Sequence, residues 1–256
     1  MARVLMTGAS SGIGFELAKR FARDDHSLVL VARSAERLEE VAKKLNGTSI
    51  LVPADLSQPG SAAALFSELR TRSIEIEILV NCAGFGASGW FAQTDLDVER
   101  EMMQLNMVSL TELTKLALPD MIRRRAGRIL NVASVYSFAP VPFQSVYAAC
   151  KAFLLSFSSA LQNELQGTGV TVTVFCPGAT RTEFRSRAGI GQKRSDSGMP
   201  AEAAARIAYL ETMRGKHIVV PGFINRIFVY LTQFLPDTTV PSLVRFINRQ
   251  RGQTHS

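Results

Sequence analysis

Short apolar runs alternate with longer amphipathic stretches along this chain, and that alternation restricts its fold more than any other feature. Val4–Met6, Leu28–Ala32, Ser49–Val52, Ile78–Val80, Arg128–Val132, Val170–Phe175 and Ile218–Val220 read as strands. Between them lie Gly12–Arg23, Ala35–Leu45, Ser61–Arg72, Val98–Leu118, Ser145–Leu165 and Ala201–Met213. These carry apolar residues at helical spacing, as at Leu38, Val41, Ala42 and Leu45. Strands apolar on both faces and separated by helices belong in a parallel sheet that is covered on both sides through right-handed crossovers.

The expected fold is therefore α/β, a doubly wound parallel sheet of about seven strands, Rossmann-type, in one domain over residues 1–222. Two stretches depart from the alternation. Thr180 to Met199 is rich in Arg, Ser and Gly and reads as a small lid over residues 180–199. Residues 223–256 form an apolar and basic extension, with two helices separated by Pro236 and Pro241. Asn225 and Arg226 interrupt it, so it lacks the ~20 apolar residues that span a bilayer. It is expected to pack over a substrate cleft or a subunit interface, with contact to a membrane surface as the alternative.

Composition narrows the function. The chain is 46% hydrophobic and 20% charged, an ordinary globular balance. Its net charge of +7 is compatible with simple solubility, an acidic small molecule or a carrier. Basic residues cluster at 123–128 and 245–251 without the interleaved aromatics of single-strand binders, so nucleic acid is not expected as a partner. Cys82, Cys150 and Cys176 have neither metal-ligand nor paired spacing, which points to a reducing compartment and no metal. Val4–Met6 is too short for a signal peptide, and a cytoplasmic location is expected.

The first run leads into Thr7-Gly8-Ala9-Ser10-Ser11-Gly12-Ile13-Gly14, a glycine-rich turn that opens a helix and has the context of a dinucleotide site. Gly8 permits a tight turn, Gly12 a close backbone approach to a pyrophosphate, and Gly14 close helix packing. The second run ends at Arg33, where an acid would hold the ribose hydroxyls of NAD. A guanidinium there instead suits the 2′-phosphate of NADP, helped by Ser10 and Arg37. Asp55, followed by Leu56, is placed either to meet the adenine or to cap a turn.

A second set of residues carries proton chemistry. Ser134 ends the fifth strand region, and Tyr147 and Lys151 stand four residues apart, which puts phenol and ammonium on one helical face. A tyrosine with a reference pKa of ~10 needs ~4 kcal/mol of differential stabilisation to titrate near neutrality. Lys151 and a nicotinamide cation would supply it.

Taken together, the segments resemble the short-chain dehydrogenase/reductase family over nearly all of residues 3 to 222. Thr7–Gly14 matches its glycine motif. Asn81-Cys82-Ala83-Gly84 matches its Asn-Asn-Ala-Gly motif, with Cys82 replacing the second asparagine. Ser134, Tyr147 and Lys151 match its catalytic spacing, and Pro177-Gly178 with Thr180 its nicotinamide-side motif. The resemblance implies that Tyr147 is the general acid/base, that Ser134 positions the substrate oxygen, that Lys151 holds the ribose and lowers the Tyr147 pKa, and that Asn106 holds a water in a proton relay. It further implies cofactor contacts from Asn81, Ala83, Gly84, Pro177, Gly178 and Thr180 beside those of Gly8 to Gly14. It also implies a homodimer or homotetramer pairing through Val98–Leu118 and Ser145–Leu165, where Phe153, Leu154, Phe157 and Leu161 offer an apolar face.

The expected activity is NADP(H)-dependent reduction of a small-molecule carbonyl, a lipophilic ketone or aldehyde. Phe85, Trp90, Phe91, Phe138, Val141, Pro142, Phe143 and Phe184 would flank the site. A 3-oxoacyl carrier-protein reductase docking its carrier on Arg123–Arg128 is the alternative. A non-catalytic NADP sensor on the same fold is the reading from another class. Cys150, directly before Lys151, is either a redox switch or an inert buried thiol.

Overall fold

The computed structural model describes residues 2–184, 188, 198–236 and 238–250. Seven parallel strands form one sheet: β1 (Arg3–Thr7), β2 (Ser27–Ala32), β3 (Ser49–Pro53), β4 (Ile78–Asn81), β5 (Gly127–Val132), β6 (Val170–Phe175) and β9 (Ile218–Val219). Their spatial order is β3-β2-β1-β4-β5-β6-β9, so the winding direction reverses between β1 and β4. Loops leaving those two strands diverge and open a crevice at their carboxyl ends, which is where such sheets bind ligands. A short parallel pair, β7 (Thr180–Arg181) with β8 (Met199–Pro200), stands apart from the main sheet.

Helices cover both faces. These are α1 (Gly12–Arg23), α2 (Ala35–Ala42), α3 (Ser61–Thr71), α4 (Leu96–Met103), α5 (Leu110–Arg123), α6 (Ser145–Glu164) and α7 (Ala201–Met213). Phe21, Leu17, Leu30, Phe175 and Tyr209 anchor one core layer, and Leu5, Leu69, Leu79, Met121 and Val172 the other. Strands alternate between these layers, which is why they read as continuously apolar.

The single helix expected over Val98–Leu118 is interrupted: residues Gln104–Ser109 form a π-helical segment between α4 and α5. The Asn106 side chain donates to the Met102 carbonyl four residues back, at 2.9 Å. A side chain competing for the helix's own acceptor is a physical reason for the widened turn.

The carboxy-terminal extension forms α8 (Phe223–Phe234) and α9 (Val240–Gln250). Pro236 separates them as expected, but Pro241 lies in the first turn of α9, where its missing N–H would have had no helical acceptor. Val240 and Val244 pack with Ala139, Val141 and Ala148, fixing the extension beside the amino-terminal end of α6. The expected lid lies, between residues 185 and 197, almost wholly outside the described residues.

Leu154 and Leu161 belong to the core and Phe157 packs against it, while the Phe153 ring stacks on that of Phe157 at 5.8 Å.

Candidate active site

The glycine loop is built by packing before it binds anything. Gly8 has a φ of +69°, and a β-carbon on it would fall 2.7 Å from the Ala83 nitrogen. Thr7 Oγ1 accepts from the Cys82 and Ala83 N–H groups at 3.1 and 3.0 Å, tying the loops after β1 and β4 together. A β-carbon on Gly14 would overlap the Gly8 carbonyl. The first turn of α1 contains no acid, and Ser11 supplies no side-chain cap. Its amino-terminal N–H groups are thus available to an anion.

Arg33 follows β2 and is exposed along the same crevice. Among the described residues it makes no ion pair, whereas Arg37 meets Glu183 at 3.7 Å. Ser34 caps α2 by accepting from the Arg37 N–H at 3.1 Å, which turns the chain so that both arginines flank the cleft. Asp55 Oδ1 accepts from the Ser57 N–H and hydroxyl at 3.0 and 2.7 Å, so that carboxylate shapes the turn after β3 while lining the crevice.

One cleft of about 800 Å³ joins this end to the proton-carrying residues. Gly8, Ser10, Ser11, Gly12, Ile13 and Gly14 line it, followed by Arg33, Asp55, Leu56, Ala83, Gly84, Ser134, Tyr147, Lys151, Pro177, Gly178 and Thr180. Two residues are not on its wall. Asn81, expected to bind cofactor, is buried and donates to Thr114 at 3.2 Å and to Asn131 at 2.9 Å, so it braces β4 against β5. Asn106 is also buried, donating to the Phe85 and Met102 carbonyls. Among the described residues its Oδ1 has no hydrogen-bond partner, and it faces Gly84, where a β-carbon would lie 2.6 Å from Oδ1 and 3.5 Å from Lys151 Nζ.

Ser134 caps a short turn, accepting from the Tyr136 N–H at 3.1 Å. Tyr147 occupies the first turn of α6, and Lys151 Nζ lies 5.6 Å from the Tyr147 ring centroid. Lys151 donates to the Val132 carbonyl at 3.1 Å.

Electrostatics differ from the sequence expectation. Burial pushes the Tyr147 phenol up, and a side-chain hydrogen bond with Ser134 opposes that rise. Lys151 is itself pushed down to about 8 by burial. Desolvation outweighs the neighbouring cation here, because both groups are in the same dry pocket. The arrangement therefore presents a protonated phenol at neutral pH, suited to donate.

Desolvation raises all three thiols, Cys82 and Cys176 to about 12, and Cys150 as well. Cys150 is buried, so the inert alternative describes it.

Of the aromatics expected around the site, Phe85 and Phe184 line it, and the Phe184 ring lies 5.5 Å from that of Tyr147. Phe138 instead packs in the core with Leu110 and Leu154. Val141 packs against Val240, and Phe91 is exposed. Trp90 and Phe143 pack edge to face, with the Arg245 guanidinium within 6 Å of each ring, at 5.8 and 5.2 Å. The wall not specified residue by residue comes from the extension: Ile224, Asn225, Ile227, Phe228, Leu231 and Val244. Periodicity identifies those as helical and amphipathic, but only the chain's return across the sheet edge brings them to the cleft.

Comparison with known proteins agrees with this geometry. The family model for short chain dehydrogenases matches residues 2–193. The ketoacyl reductase HetN of Nostoc is 37% identical over 178 residues, covering 68% of this chain and 62% of its own length. A short-chain dehydrogenase from Sphingobium yanoikuyae, solved in complex with NADPH, is 34% identical with a TM-score of 0.81 and covers 92% of this chain and 97% of its own. The bulky-bulky ketone specific alcohol dehydrogenase from Comamonas testosteroni is 30% identical with a TM-score of 0.77 over 92% of this chain and 95% of its own. This chain belongs to the short-chain dehydrogenase/reductase family, oxidoreductases that interconvert carbonyls and alcohols with a nicotinamide cofactor.

Proposed function

We propose that this enzyme reduces a bulky, lipophilic ketone or aldehyde with NADPH. The observation that carries the reading is the composition of the cleft beside Tyr147, whose outer wall is Phe184, Ile224, Ile227, Phe228 and Leu231. Such a wall favours apolar substrates and leaves few polar groups to hold a charged one. The similarity to the bulky-ketone alcohol dehydrogenase and to the NADPH complex supports the same assignment.

The crevice fits a dinucleotide on its own terms: three glycines admit no side chain or need positive φ, α1 offers unclaimed N–H groups, and Arg33 makes no ion pair among the described residues. Gly8 to Gly14 would hold the pyrophosphate, Arg33 with Ser10 the 2′-phosphate, and Pro177, Gly178 and Thr180 the nicotinamide side. When bound, the nicotinamide supplies the hydride taken up by the carbonyl carbon. Ser134 donates its hydroxyl proton to the carbonyl oxygen and holds it. Tyr147 delivers its phenolic proton to that oxygen as charge develops. Lys151, fixed by Val132, would hold the ribose and supply positive charge to the phenolate left behind. Asn106 Oδ1, unpartnered among the described residues, would accept from a water that returns a proton towards Lys151.

The 3-oxoacyl alternative draws on the similarity to HetN. Arg128, however, is at the amino-terminal end of β5, Arg123 pairs with Asp120 and Arg124 with Glu75, so the patch is partly neutralised and lies at the strand ends opposite the cleft. We further propose that copies associate through α5 and α6. Oxidation of NADPH by a panel of lipophilic ketones, aldehydes and 3-oxoacyl thioesters tests the function. Turnover of bulky ketones supports it, and turnover confined to thioesters replaces it with the alternative.

A further inference from the structure

Gln144 stands three positions before Tyr147, lines the cleft and is 4% exposed. Its backbone is satisfied: the N–H donates to the Val141 carbonyl at 3.1 Å, and the carbonyl accepts from the Ala148 N–H at 2.9 Å. Its side chain is not. Gln144 occupies the cap position of α6, yet its carboxamide caps nothing and makes no hydrogen bond among the described residues. The unpartnered Thr173 hydroxyl is sealed in the core, whereas the Gln144 carboxamide is reachable from the cleft. Burying a carboxamide without a partner is costly, so one held at a cleft wall points to a bond made when the cleft is filled.

The turn before it holds this placement under strain. Phe143 has a φ of +67°, a conformation that bulky residues rarely adopt. Its carbonyl accepts from the Gly89 N–H at 2.8 Å, its ring packs edge to face on Trp90 at 5.0 Å, and the Arg245 guanidinium covers it at 5.2 Å. Such strain persists only where the surroundings impose it. Residues three apart at a helix start share a face, with β-carbons about 5–6 Å apart. The carboxamide therefore reaches groups a few bonds from the oxygen that Tyr147 protonates.

Other polar side chains at this end of the cleft are engaged. Ser134, Tyr147 and Lys151 serve proton transfer, Thr180 donates to the Gly178 carbonyl at 3.1 Å, and Asn225 to that of Pro221 at 2.7 Å. An under-used carbonyl oxygen is tolerated more readily than an orphaned N–H, so it is the amide donor of Gln144 that calls for a partner. We infer that Gln144 is a specificity-determining residue, its amide donating to a second, uncharged acceptor oxygen that the ketone carries a few bonds from the carbonyl being reduced, an assignment that rests on the carbonyl-reductase reading. A carboxylate does not suit the position, because Phe184, Phe228 and Leu231 leave that wall apolar and Lys151 already donates to the Val132 carbonyl.

Two ketones of matched length test the assignment: hexanophenone, and ethyl benzoylacetate, which adds an ester carbonyl. Comparing their kcat/KM ratio in the wild type and in Gln144→Met removes differences in intrinsic reactivity. The change should lower the preference for ethyl benzoylacetate about three- to tenfold. A ratio that the change leaves unaltered overturns the proposal and gives the carboxamide to cleft water. Calorimetric titration of both ketones into the wild-type complex with NADP+, where no hydride is available, reads recognition without turnover. Ethyl benzoylacetate should bind about three- to tenfold more tightly there, and equal affinities overturn the proposal. Tighter binding of ethyl benzoylacetate with no reduction of either ketone by NADPH would sink the carbonyl-reductase reading and leave Gln144 as the recognising residue. Gln144→Met should melt no lower than the wild type, since the carboxamide holds nothing within the chain, and a clearly lowered melt would make Gln144 structural and overturn the proposal.

Discussion

Gly178 and Asn225 are packed so closely that a β-carbon on Gly178 would overlap the Asn225 carboxamide. Asn225 is fixed by donating to the Pro221 carbonyl at 2.7 Å, so the nicotinamide-side loop and the first turn of α8 form one unit. Gly178→Ala must therefore push the extension outward. Overpacking of this kind costs about 1–3 kcal/mol. A lowered thermal midpoint together with faster proteolysis after residue 222 is expected, while a variant with wild-type stability and proteolysis would separate the two elements.

Arg33 is the exposed cation at the end of β2 without an ion-pair partner among the described residues. A charge-assisted contact with a 2′-phosphate contributes about 1.5–3 kcal/mol. Arg33→Ala should weaken NADPH roughly 10- to 100-fold and leave NADH unchanged. Equal losses for both cofactors in fluorescence titration would remove Arg33 from phosphate recognition.

Lys151 sets a pH dependence whose sign follows from burial. Its pKa is lowered from 10.5 to about 8. Below about 8 the ammonium is charged in both folded and unfolded chains, and the folded one bears the full desolvation cost. Between about 8 and 10.5 the folded protein has released the proton while the unfolded chain retains it, so stability rises with pH through that window. Lys151→Met should remove a cost of ~3 kcal/mol at neutral pH and raise the melting temperature by roughly 5 °C, while abolishing turnover. A lower melting temperature would contradict the burial account.

Cys150 is buried with its thiol pushed up, so it holds little thiolate at neutral pH. Peroxide at levels that oxidise exposed thiols should leave activity unchanged. Loss of activity in the wild type that is absent in Cys150→Ala would establish the switch instead.

The sheet was legible because parallel strands buried on both faces leave uninterrupted apolar runs, and Val170–Phe175 coincides with β6. The Gly8–Gly14 turn was legible because its constraint is local. The π-helical turn at Asn106 is not legible, because nothing in a sequence distinguishes a side chain that takes over the Met102 carbonyl from one pointing outward. The resemblance implies a cofactor contact for Asn81, yet its partners Thr114 and Asn131 lie 33 and 50 residues away and become neighbours only in the folded sheet. The cleft wall was legible only as an amphipathic tail, since the side of α8 that meets Gly178 depends on where β9 ends. The direction of the Tyr147 shift depended on burial, which spacing does not encode.

The account stands most directly on Tyr147 as the proton donor. NADPH binding and NADPH-dependent ketone turnover should be measured together for the wild type and Tyr147→Phe. The account predicts that the variant binds NADPH with nearly wild-type affinity and loses turnover by at least about 100-fold. Turnover retained by Tyr147→Phe, with the cofactor bound, would contradict it.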